Sequence, residues 1–234
     1  MKQNIELPEK SRRQFLTRLA TGAAAAGLAA IPTLDLKAEN EIKDSFTATG
    51  DPDAWFNQVK GKHRIVYDTT GPHEIFPFAW ARVFLATNEA TGTPASDCGV
   101  VVILRHLAIC FALDHSIWEK YNLGTVFKVD DAKTNAASKR NPFWKPAAGD
   151  YKLPGIGEVK IGINELQSDG VMFCVCGEAM SVFSAKLASQ MNMKADDVLN
   201  EWKAALLPGI QVVPSGVWAV GRAQEHDCKY CFVG

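Results

Sequence analysis

The residues of this 234-residue chain with the widest chemical reach are six cysteines and a few polar groups that close apolar runs. Cys176 ends the run Val171-Met172-Phe173-Cys174-Val175-Cys176, with Gly177 behind it and a stretch of helical period from about Glu178. Unpaired amide hydrogens and the positive dipole end at a helix N-terminus stabilise an anion, so a sulfur placed there is favoured as thiolate. Nucleophilic or sulfur-carrying chemistry needs that form. Glu178, in the same turn, works against it. The competing role for Cys176 is that of a small core residue, as free cysteines often are. Cys174 shares a strand face with Cys176. A Cys-x-Cys disulfide is strained, so core packing is the expectation for Cys174.

Arg105 and His106 follow a second apolar run, Val100 to Leu104. A guanidinium fork matches oxyanions and an imidazole titrates near neutrality, which makes the pair candidates for binding an anionic substrate beside Cys176. The alternative is a polar strand end in solvent. Cys228-Lys229-Tyr230-Cys231 has C-x-x-C spacing and admits three arrangements: a disulfide tying down the terminus, two free thiols, or half of a metal site. Cys174, Cys176, Cys228 and Cys231 would together form a four-thiolate metal site only if their strands were neighbours. Even then, two thiols on one strand face lie ~7 Å apart, too far to share an ion with ~2.3 Å bonds easily. His63, His73 and His226 have no ligand spacing, and Gly155, Gly157 and Gly221 are too isolated for a phosphate loop. Neither a cofactor nor a metal is expected.

These residues need a scaffold that brings strand ends together. From Arg64 onward, short β-branched runs alternate with stretches of helical period, the pattern of a parallel sheet covered by helices. Strands are expected at Arg64–Tyr67, Val100–Leu104, Val171–Cys176, Ile210–Val213 and Lys229–Val233. Helices are expected over Phe76–Thr87, Leu113–Tyr121, Ile163–Gln167, after Gly177, around Val198–Leu206 and after Pro214. The result is one α/β domain with about five mainly parallel strands and helices on both faces. The 130–157 connection, rich in Pro, Gly, Lys and Asn, is expected to be an insertion or flap. Ligands of open parallel sheets sit beyond the strands' carboxyl ends. That rule nominates Asp68, Thr69, Thr70 and His73, then Arg105 and His106, then Cys176, then Ser215.

The N-terminus reads as an address. Ser11-Arg12-Arg13-Gln14-Phe15-Leu16 precedes an Ala/Gly/Leu-rich run from Leu19 to Ile31, the order basic, apolar, small. The Arg12-Arg13 pair resembles the twin-arginine motif that a translocase receptor recognises. Residues 1–38 are therefore expected to be a signal, 39–62 an arm and 63–234 the domain, with a periplasmic destination. The apolar run is rich in Gly and Ala and is stopped by Pro32 and Asp35, unlike a spanning helix of ~20 apolar residues. No membrane residence after processing is expected. Formal net charge is −1 with signs interspersed, which excludes a nucleic-acid-binding stripe.

The segment Leu166-Gln167-Ser168-Asp169-Gly170-Val171 entering the strand that ends at Cys176-Gly177, with Gly209-Ile210-Gln211-Val212-Val213-Pro214 later, resembles the DsrE/DsrF-like family. The likeness runs from about His63 to the C-terminus. It implies a five-stranded parallel α/β domain, commonly assembled as a trimer or hexamer. In the sulfur-relay members a cysteine at the end of the third strand carries persulfide sulfur to a partner protein, and Cys176 matches that position. Those members work in the cytoplasm, whereas this chain carries the marks of export. The leading expectation is an exported protein of this type with sulfur or thiol transfer at Cys176. The rivals are a non-catalytic periplasmic binding or assembly module and a cysteine-ligated metal protein.

Overall fold

The alternation of apolar runs and amphipathic stretches becomes seven strands and eight α-helices in the computed structural model, which describes residues 52–153, 155 and 157–234. Residues 1–51, including Arg12 and Arg13, lie outside the described residues. In chain order the elements are α1 (Pro52–Phe56), β1 (His63–Thr69), α2 (Phe76–Ala90), β2 (Cys98–Leu104), a 3-10 segment (His106–Ala112), α3 (His115–Lys120) and α4 (Leu123–Phe127). Then come the two-residue strands β3 (Lys152–Leu153) and β4 (Gly157–Glu158), α5 (Ile163–Ser168), β5 (Met172–Cys176), α6 (Gly177–Met191), α7 (Ala195–Ala204), β6 (Ile210–Val213), α8 (Gly216–Glu225) and β7 (Lys229–Val233).

The main sheet is parallel throughout, in the order β6-β5-β2-β1-β7. All seven residues of β2 are buried, as its apolar run demands of a central strand. One face carries the larger core, in which Phe78 and Leu85 of α2, Met180 and Leu187 of α6, and Trp202 of α7 pack on Val100, Val102, Phe173 and Val175. The other face is covered by α1 and α8, which set Phe56, Ala219 and Ala223 against Val66, Val101, Ile103 and Cys174. The chain is thus an α/β domain with helices on both faces. β6 and β7 occupy opposite edges, so α8 must carry the chain across the second face between them. That crossing is what brings Tyr230 back beside β1.

Two segments pack more tightly than their composition suggests. The stretch before β1 reads as an arm, yet Phe56 is wholly buried, stacked edge-on to Trp218 of α8. The connection after α4 is irregular but no flap. Asn141, wholly buried, donates to the carbonyls of Phe111 at 2.8 Å and Leu113 at 3.0 Å, while its Oδ1 accepts the Phe143 amide. Phe143 then lies within ring-contact distance of Phe78, Phe111 and Tyr151. The aromatic payload outweighs the Pro and Gly content because an aromatic ring buries ~150–250 Å². Close approach needs Gly124, where an added Cβ would run into the Ser138 backbone.

Candidate functional site

Because the five strands are parallel, the loops after β1, β2, β5 and β6 share one rim. Leu104 of β2 pairs with Val175 of β5, so the next positions along, Arg105 and Cys176, are neighbours at that rim. Cys176 is only 6% exposed and serves as N-cap of the 15-residue α6, its Sγ accepting the Ala179 amide hydrogen at 3.3 Å. The Glu178 amide donates to the Pro214 carbonyl at 3.2 Å, tying the start of α6 to the end of β6. Cys176 and Arg105 stand near enough to interact electrostatically.

Arg105 is folded back onto β1, its side chain half-buried. Its Nε and Nη2 donate to Asp68 Oδ1 at 2.5 Å and Oδ2 at 2.9 Å, a bidentate fork on a carboxylate whose side chain is 3% exposed. The hydrogen bond to Asp68 raises the Arg105 pKa above the ordinary arginine value. Tyr230 of β7 donates its hydroxyl hydrogen to Asp68 Oδ2 at 2.8 Å. Burial and that same carboxylate push the phenol up. Three strands thus supply one network: Tyr230 from β7, Asp68 from β1 and Arg105 from the end of β2. The network requires Gly216 in the first turn of α8, where a Cβ would sit 2.5 Å from Arg105 Cβ.

The other expected residues are dispersed. His106 adopts a left-handed backbone with φ 52°, and its exposed ring meets Phe183 of α6 edge-on at 5.9 Å. The Arg105-His106 pair is therefore split, one side chain folded onto Asp68 and the other onto α6. Ser215 caps α8 by accepting the Trp218 amide at 3.2 Å, and Asp114 caps α3. The six cysteines are free thiols. Cys174, wholly buried, packs with Val101, Ile103 and Val213, and burial pushes its thiol up. Cys228 and Cys231 are not brought together: Cys228 packs in the core beneath α8, while Cys231 packs against the opposite core. Cys228 stands just before β7 and Cys231 within it, and along extended chain positions three apart face opposite sides. Among the described residues no group of three or more His, Cys, Asp or Glu could hold a metal ion.

Tyr230 and Gly216 are the site residues that motif reasoning passes over. The signal for Tyr230 lies in strand order, since only a β7 placed beside β1 brings a phenol to Asp68.

No protein-family model matches the chain. No curated protein matches it either. A search of solved structures finds a protein of unknown function, MTH1491 from Methanobacterium thermoautotrophicum, 18% identical over 74% of this chain and 100% of that one, with a TM-score of 0.33. That likeness brings no activity to this chain.

Proposed function

We propose that this chain is an exported sulfur carrier in which Cys176 takes up a sulfane sulfur and hands it to a thiol on a partner protein. The observation that carries the proposal is the position of the Cys176 sulfur, at the first turn of α6 with an amide hydrogen on it and Arg105 beside it. In the loading step the Cys176 thiolate attacks the outer sulfur of a persulfide R–S–SH. The S–S bond of the persulfide breaks, Cys176–S–SH forms and R–S⁻ leaves. The resemblance to DsrE/DsrF-like proteins at Cys176-Gly177 points the same way.

Export through the twin-arginine translocase to the periplasm is supported by Ser11-Arg12-Arg13-Gln14-Phe15-Leu16 and the apolar run after it. No helix among the described residues is long and apolar enough to cross a membrane. Assembly as a homo-oligomer, trimer or hexamer, belongs to the same proposal. Exposed Trp80, Val83 and Phe232 supply apolar surface for it.

The test is exposure of the full chain to glutathione persulfide, followed by alkylation and peptide mass spectrometry. The carrier gains the mass of one sulfur on the Cys176 peptide. No gain there while other thiols react normally overturns the proposal.

A further inference from the structure

An open groove of about 270 Å³ lies between α8 and the β1–β7 edge, lined by Asp68, Arg105, Val217, Val220, Gln224 and Tyr230. We infer that it binds a small anion with an apolar stem, such as an alkyl sulfonate or carboxylate, its head on Arg105 and its stem against Val217, Val220 and the Tyr230 ring.

The sign follows from how the floor is built. Both Asp68 oxygens are engaged, and its side chain is 3% exposed. Arg105, with its side chain 27% exposed, directs only Nε and Nη2 at Asp68, which leaves the Nη1 amino group with its donors. The charge that meets a ligand is therefore the guanidinium. Arg222 of α8 is paired with Asp53 and Glu225 and does not line the groove, so Arg105 sets its preference. The walls call for an apolar body: Val217 is 71% exposed and Tyr230 48%. The volume lies just below the ~300–1,000 Å³ of drug-sized ligand sites, which suits a small ligand. The site does not depend on sulfur chemistry at Cys176.

The experiment titrates the ¹⁵N-labelled full chain with hexanesulfonate, hexanol and hexyltrimethylammonium, following amide shifts. Hexanesulfonate is expected to shift Val217, Val220 and Gln224 saturably, binding roughly 10-fold or more tighter than hexanol, the worth of one charge-assisted hydrogen bond. The cation is expected not to bind. Val217→Asp, at an exposed position the fold tolerates, is expected to weaken the sulfonate by roughly 10-fold, about the worth of one charge interaction. Equal binding of the three probes, sulfonate shifts that map elsewhere, or unchanged affinity in Val217→Asp would each overturn the inference.

Discussion

Strand β5 carries Cys174 and Cys176, and β7 carries Cys231 with Cys228 just before it, yet the two strands put their cysteines to different ends. β5 runs between β2 and β6, and Cys176 stands at its carboxyl end, where the chain turns into α6 and an amide hydrogen meets the sulfur. β7 is an edge strand. Cys231 lies within it and packs sideways against the core, Cys228 is sealed beneath α8, and the group that β7 delivers to the rim is the Tyr230 hydroxyl. The difference shows that a thiol's surroundings here are set by its place along a strand and by the element that the strand leads into. C-x-C or C-x-x-C spacing decides little.

The contrast between the strands breaks most sharply at Cys176. Cys176→Ser is expected to abolish sulfur loading altogether, and Cys231→Ser to leave it intact; intact-mass spectrometry after persulfide treatment reads both. Next in size is the network that joins the two strands' ends. Arg105→Ala leaves buried Asp68 without its countercharge, held only by the Tyr230 hydroxyl, and is expected to destabilise the fold by about 3–5 kcal/mol in urea melts. Within the cores the contrast is smaller. Cys174→Ser places a hydroxyl in a wholly buried apolar site and should cost about 1–3 kcal/mol, whereas Cys231→Ser, partly exposed, should stay within about 0.5 kcal/mol.

A further effect is a pH dependence. Burial pushes the Cys228 thiol from its ordinary 9.0 up to about 11. The folded state therefore keeps a proton that the unfolded state releases. Its contribution is fully present below pH 9.0 and is lost as the pH rises towards about 11. Cys228→Ala is expected to flatten the fall of stability over that window, as read by urea midpoints at successive pH values.

Much of the scaffold is legible in the chain because apolar period and turn residues are local signals. Val100 to Leu104 reads as a central strand and is one, and Ile210–Val213 and Lys229–Val233 coincide with β6 and β7. The expected Leu113–Tyr121 helix is preceded by a 3-10 segment that carries Cys110 and Phe111 into the core, a tightening that periodicity does not reveal. Asn141 and Phe143 are hidden by their Pro- and Gly-rich surroundings, since they are held by carbonyls and rings some thirty residues back in sequence. For the site, the rule of strand ends finds Asp68, Arg105 and Cys176 singly. Their union with Tyr230 depends on the order β6-β5-β2-β1-β7, which no local pattern encodes.

The central claim is tested most directly in protein taken from the periplasm under alkylating conditions, by peptide mass spectrometry of all six cysteines and of the mature N-terminus together. The account predicts a chain shortened behind the Arg12-Arg13 segment, with Cys176 alkylated rapidly or carrying an extra sulfur while Cys110 and Cys174 are modified only after unfolding. A Cys176 that stays inert in the native protein and never carries sulfur would contradict it.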